Sequence, residues 1–216
     1  MKHQAVLFDL DGTLLNTLQD VAHAVNHGLA DLGFPQHRTA TYRGLIGEGR
    51  DVLALRALPQ NHRDNHTVQK LFSRINDEYA ICWANNTRPY PGIPELLDAL
   101  TANNIKMVVL SNKADDLTKM CVTKLLSRWR FALIAGSRPS VPNKPDPTAA
   151  LQIAKQLDID PSQFLYVGDS GIDMNTANSA GMYPVGALWG FRSAKELLAA
   201  GAKTLIAYPE ELLHFV

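Results

Sequence analysis

From Pro94 to Ala207 the sequence alternates between amphipathic stretches and short apolar runs, a pattern that few architectures accept. A helical pattern over Pro94–Asn103 leads into the apolar run Lys106–Leu110, a second over Asp115–Leu126 into Phe131–Ala135, and a third over Pro147–Leu157 into Phe164–Val167. Short units continue through Tyr183–Leu188 and Thr204–Ala207, and Glu196–Leu198 and Glu210–Val216 read as closing helices. Strands separated by helices of this length are joined by right-handed crossovers into a parallel sheet covered on both faces, so the fold class is α/β. Near the amino terminus Ala5–Phe8, reading AVLF, has the unbroken apolar character of a strand buried on both faces and belongs to the same sheet.

Between that first strand and the alternation lies a purely helical interval. Leu18, Val21, Ala22, Val25 and Leu29 form one apolar stripe that stops at Gly33 before Pro35. Shorter helical segments follow over Thr39–Leu45 and Arg50–Leu58, then a long one carrying Val68, Leu71, Phe72, Ile75, Tyr79 and Cys82. The stretch NNTRPYPGIP, Asn85–Pro94, is a linker by composition, and Leu15–Thr17 is the matching crossing. The expected organisation is a Rossmann-like, doubly wound core of residues 1–15 and 86–216, with residues 16–85 inserted as a small helical cap domain.

Composition narrows the function classes. Lysine plus arginine and aspartate plus glutamate number 21 each, with no basic stripe, so no nucleic-acid partner is expected. No apolar segment is long enough for a signal peptide or membrane span, which points to a cytoplasmic protein without a membrane partner. Cys82 and Cys121 form no ligand-like pair and read as buried, reduced thiols. The pairs His23/His27 and His62/His66 have HxxxH spacing but no third ligand nearby in sequence, and read as solvated histidines. The run GLIGEGR, Gly44–Arg50, lacks the lysine and hydroxyl of a nucleotide phosphate loop.

Chemistry concentrates where the strands end. Ala5–Phe8 runs into Asp9, Leu10, Asp11 and Gly12, which places two carboxylates at the carboxyl edge of a buried strand, where ligands bind in open α/β sheets. Residues i and i+2 point the same way in extended chain, and the repulsion between such carboxylates is relieved by a divalent cation, Mg²⁺ being the natural one. The alternative is an Asp-rich turn that merely closes the strand. Other runs end in kind: Leu110 in Ser111 and Asn112, Val167 in Gly168, Asp169, Ser170 and, further on, Asp173, while Asn143, Lys144 and Pro145 precede a helix. Clustered carboxylates, a hydroxyl and one ammonium are what a phosphoryl group and its magnesium require.

The four blocks DLDGT, VVLSN, NKPDP and GDSGIDM, in this order, resemble the four motifs of the haloacid dehalogenase superfamily, and with the helical insertion the chain resembles its phosphoglycolate-phosphatase-like branch. The resemblance implies Asp9 as a nucleophile that forms an aspartyl-phosphate and Asp11 as general acid and base. It implies Ser111 and Lys144 as the groups that hold the transferring phosphoryl, with Thr13 and Asn112 in the substrate-binding set. Magnesium would be held by Asp9, the backbone carbonyl of Asp11 and Asp169, with Asp173 orienting Lys144 or a metal-bound water. Asp11 favours phosphate esters, because dehalogenating and phosphonate-cleaving relatives lack an acid there. Within the helical insertion Arg50, with Arg43 nearby, is a candidate contact for a substrate carboxylate. The implied function is Mg²⁺-dependent hydrolysis of a small phosphorylated metabolite such as 2-phosphoglycolate, by a monomer or homodimer. A sugar phosphomutase is the alternative; a non-catalytic module of the same fold is disfavoured by the intact Asp9, Asp11, Lys144 and Asp169.

Overall fold

The computed structural model describes residues 3–216 and separates into two compact units, one formed by the chain up to Leu15 with Pro89–Val216, the other by Asn16–Arg88. The first unit is a six-stranded sheet in the order β5-β4-β1-β6-β7-β8, every neighbouring pair parallel. Its strands are β1 (Ala5–Phe8), β4 (Lys106–Ala114), β5 (Leu133–Ser137), β6 (Phe164–Gly168), β7 (Tyr183–Ala187) and β8 (Thr204–Ile206). The two-residue strands β2 (Leu15–Asn16) and β3 (Arg88–Pro89) lie at the crossings between the units. Helices α4 (Ile93–Ala102), α5 (Asp115–Leu125), α6 (Thr148–Leu157), α7 (Gly171–Ser179) and α8 (Ala194–Ala199) connect the strands of the sheet.

β1 is the centre of this unit. All four of its residues are fully buried, and alternation sends Ala5 and Leu7 into one core cluster, with Val108, Leu110, Phe164 and Tyr166, while Val6 and Phe8 face the other side. Parallel pairing sets Phe8 opposite Val109 of β4 and Val167 of β6. The residues that follow these three are therefore carried to one edge of the sheet side by side. Among the strands, β4 and β5 depart most from the sequence expectation. β4 does not stop at Leu110 but continues through Ser111, Asn112 and Lys113 to Ala114, with a register shift against β5 beyond Leu110. β5 begins at Leu133 rather than Phe131.

The second unit is helical: α1 (Leu18–Asp31), α2 (Arg50–Ala57) and α3 (Asn65–Cys82), with α1 and α3 packed along each other. The expected helix near Thr39 is a 3₁₀ segment, Thr39–Gly44. Asp20 on α1 ties down the returning end of the unit. Its buried carboxylate accepts from the backbone N–H and side-chain amide of Asn86 at 2.9–3.0 Å, and from the N–H and hydroxyl of Thr87 at 2.8 and 2.7 Å. Burial alone would raise its pKa, but the hydrogen bonds from Thr87 and Asn86 outweigh it and hold the carboxyl below its ordinary 3.8. A depressed carboxyl contributes stability that is present above the ordinary value and lost as the pH falls through the folded one. Asp20→Ala leaves those donors unsatisfied and should cost about 3 kcal/mol. Denaturant unfolding at neutral pH reads this directly, and a loss under about 0.5 kcal/mol would mean that water replaces the carboxylate without cost.

Candidate active site

At the carboxyl edge the sequence builds a cluster of charges with little freedom. Asp9 leaves β1 with its N–H bonded to the carbonyl of Val167 at 2.9 Å, which carries the pairing with β6 one residue past the strand. After β6, Ser170 caps α7 through a reciprocal box. The N–H of Asp173 donates to the serine oxygen at 3.4 Å, and Asp173 Oδ2 accepts from the Ser170 N–H at 3.1 Å and from its hydroxyl at 2.6 Å. That box leaves Asp173 Oδ1 facing inward, where it accepts from Lys144 Nζ at 2.7 Å. The same ammonium donates to Asp9 Oδ1 at 2.7 Å and to the carbonyl of Leu110 at 3.2 Å. Lys144 is itself positioned by Asn112, whose side-chain amide donates to the lysine carbonyl at 3.0 Å and accepts from the lysine N–H at 2.9 Å.

Asp169 is packed from several directions. Its Oδ2 accepts from the N–H of Phe191 at 2.6 Å and its Oδ1 from the hydroxyl of Thr13 at 3.3 Å. Glycines make the fit: a Cβ at Gly12, where φ is +95°, would lie 2.4 Å from Asp169 Oδ2, and one at Gly190 would lie 2.2 Å from Asp169 Cβ. Asp9, Asp169 and Asp173 each offer an oxygen within 4.8 Å of the others, and all three are buried.

The candidates named from sequence thus fall into groups. Asp9, Lys144, Asp169 and Asp173 meet in one cluster, and Asn112 and Thr13 spend side-chain bonds on holding Lys144 and Asp169. Ser111 is buried on β4 and accepts from the N–H of Lys113 at 3.2 Å. Asp11 is paired with a residue the sequence reading passed over. Lys113, also buried, donates to both Asp11 oxygens, at 2.9 and 3.1 Å. A signal for it exists, because Lys113 stands two residues beyond Ser111 and shares its side of an extended strand. Arg50 lies in the helical unit, with its guanidinium bonded to Asn76 Oδ1 and 5.5 Å from the centroid of Phe72.

The cluster carries an excess of negative charge. Burial, against the opposing pull of Lys144, pushes Asp9 up from 3.8 to about 7, with Asp173 adding to the rise. Burial, then Asp9 and Asp173, raise Asp169 well above the ordinary range. Lys144 goes the other way from a buried lysine, since Asp173 and Asp9 overcome the effect of burial and keep it charged. Three close carboxylates with oxygen-only donors, and an ammonium that offsets them incompletely, fit a hard divalent cation. A measurable consequence follows. Without a cation, folded Asp9 holds a proton that the unfolded chain has released, so its contribution to stability declines as the pH rises from 3.8 to about 7. A cation bound among these carboxylates would displace that proton. Mg²⁺ should therefore raise the thermal midpoint more at pH 8 than at pH 6, and an equal gain at both would separate Asp9 from cation binding.

Residues 6–187 match the haloacid dehalogenase-like hydrolase family. The chain belongs to that family. It is 32% identical over 188 residues to a phosphoglycolate phosphatase of Aquifex aeolicus, covering 87% of this chain and 86% of the relative. A phosphoglycolate phosphatase of Xylella fastidiosa is 30% identical over 210 residues, covering 97% and 91%. Among solved structures, a predicted phosphoglycolate phosphatase from Haemophilus somnus 129PT superposes with a TM-score of 0.91 at 27% identity, covering 99% of this chain and 98% of that one. Together these make the chain a phosphoric monoester hydrolase with the phosphatase fold of its relatives. Among the described residues no helix is long and apolar enough to cross a membrane.

Proposed function

We propose that this hydrolase is Mg²⁺-dependent and cleaves a small phosphomonoester, 2-phosphoglycolate being the leading candidate, by way of an aspartyl-phosphate on Asp9. The observation that carries the reading is the meeting of Asp9, Lys144, Asp169 and Asp173 at the carboxyl edge of the central strands. Asp9 Oδ attacks phosphorus, and the bond to the substrate oxygen breaks as that oxygen takes a proton from Asp11. Asp11 then removes a proton from water, which attacks the same phosphorus and returns Asp9 as a free carboxylate. Lys144 offsets charge on the phosphoryl oxygens, and Ser111 donates its hydroxyl to one of them. Asp173 keeps the Lys144 ammonium aimed at Asp9, and Lys113 holds Asp11 between turnovers. Asp9, Asp169 and the Asp11 carbonyl would hold Mg²⁺, which when bound neutralises charge developing on the phosphoryl group.

In this reading residues 16–85 act as a cap that selects substrate, and an enzyme of free phosphorylated metabolites works in the cytoplasm. Arg50, bonded to Asn76 and stacked by Phe72, is the cap group we assign to the substrate carboxylate. A panel of phosphorylated metabolites with Mg²⁺ tests the activity, with phosphoglycolate expected among the best substrates. Arg50→Ala should raise KM for phosphoglycolate by roughly tenfold or more while leaving p-nitrophenyl phosphate, which has no carboxylate, within about twofold. Equal effects on both substrates would return Arg50 to a purely structural part in the helical unit.

A further inference from the structure

We propose that His23, His27, Glu78 and Cys82 form a second metal site, within the helical unit and suited to zinc or a similar borderline-soft divalent ion. The four residues are two i, i+4 pairs, His23/His27 on α1 and Glu78/Cys82 on α3, and helical spacing puts each pair on one face. Those faces meet. His23 Nε2 lies 2.9 Å from Glu78 Oε1, and His27 Nδ1 lies 3.6 Å from Glu78 Oε2. His23, Glu78 and Cys82 each bring a ligand atom within 4.8 Å of the others. The arrangement has a closed and an open side. The Cys82 thiol is buried and donates to the carbonyl of Asp20 at 3.6 Å, whereas the imidazoles are about half exposed and leave a path for an ion from solvent.

The donor chemistry separates this cluster from the aspartates at the sheet edge. Two imidazoles, a carboxylate and a thiol are a tetrahedral zinc set, while Asp9, Asp169 and Asp173 offer oxygen alone. Ligand atoms around tetrahedral zinc lie about 3.3–3.8 Å apart, so the contacts of Glu78 with His23 and with His27 already stand near the required spacing, and the adjustment falls on the sulfur and on the separation of the two imidazoles. Cys82 would bind as thiolate, its proton passing to solvent, with nothing oxidised or reduced. Asp31, 3.8 Å from the same His27 nitrogen, adds negative charge beside the ion. An ion held here would staple α1 to α3 at the end of the unit where the chain turns back, since Asp20 also receives the returning residues Asn86 and Thr87.

Cobalt(II) is the probe, added to untagged, reduced full-length protein in excess Mg²⁺ so that the aspartate cluster is occupied. One equivalent should produce a sulfur-to-cobalt charge-transfer band with tetrahedral visible bands, and one equivalent of zinc should abolish them and raise the thermal midpoint by several degrees. Cys82→Ser should remove the charge-transfer band, while Cys121→Ser should leave it. Should Cys82→Ser fail to fold, the exposed change His23→Gln and the change Glu78→Gln carry the test, each weakening cobalt binding by roughly tenfold or more. No thiolate band, a band that survives in the folded Cys82→Ser protein, or unchanged affinity in both His23→Gln and Glu78→Gln would overturn the proposal. None of these readouts depends on phosphatase activity.

Discussion

Lys144→Ala should silence the enzyme and destabilise the fold in the same stroke, and the two losses should respond differently to pH. The Lys144 side chain is only 3% exposed and its ammonium lies 2.7 Å from both Asp9 and Asp173. Removing one partner of such a buried set leaves the other charges uncompensated, at a cost of roughly 3–5 kcal/mol. Here the carboxylates have an escape, since Asp9 already titrates near neutrality and takes up a proton more readily without the lysine. The stability deficit should therefore be larger at pH 8 than at pH 6 in chelator, as urea unfolding at the two values would measure. Activity has no such escape, because a protonated Asp9 is no nucleophile, and it should fall by roughly a thousandfold or more at both pH values. Near-normal turnover in Lys144→Ala would remove this residue from the chemistry, and an equal stability loss at both pH values would show that the coupling to Asp9 is weak.

How much of this was legible beforehand depends on the range over which each feature is encoded. The sheet was readable because a doubly covered parallel strand must be apolar on both faces, so that AVLF and FLYV stand out from their surroundings and the polar residues after them mark the active edge. Asp173 was partly readable as well, since the Ser170–Asp173 spacing of a capping box is local. Lys113 was missed through a misplaced boundary. β4 runs on past Leu110 into the polar residues Ser111–Lys113, which a search for apolar runs excludes, and its pairing with β5 resumes only at Ala114 after a register shift. The surroundings of Asp169 carry no local signal, because Phe191 and Gly190 reach it from more than twenty residues away. The facing of His23 by Glu78 and Cys82 is of the same kind: each i, i+4 pair can be seen on its own helix, but their meeting depends on how α1 packs on α3.

Asp9→Asn should abolish turnover and yet make the metal-free protein more stable at alkaline pH. The first effect follows from chemistry. An amide oxygen at this position does not form the acyl-phosphate, so the rate should drop by roughly 10⁴-fold or more, and retention of more than a few per cent in a contamination-free preparation would refute the covalent route. The second follows from the cluster's charge. A rise from 3.8 to about 7 means that ionising Asp9 inside the fold costs up to about 4 kcal/mol more than in the unfolded chain. That cost is already net of the attraction to Lys144, and asparagine removes it while its Oδ1 still accepts from the ammonium, so a gain of up to about 4 kcal/mol is expected at pH 8 in chelator. The gain should shrink toward pH 5, where wild-type Asp9 carries its proton and resembles the amide. Added Mg²⁺ should reverse the order if, as proposed, the wild-type carboxylate holds the cation, because an amide does so poorly. Two thermal unfolding series, with chelator and with Mg²⁺, across pH 5 to pH 8 would show the crossing. A variant less stable than wild type at pH 8 in chelator would mean that the attraction of Lys144 outweighs burial at Asp9, and that the cluster is held together rather than strained by its charges.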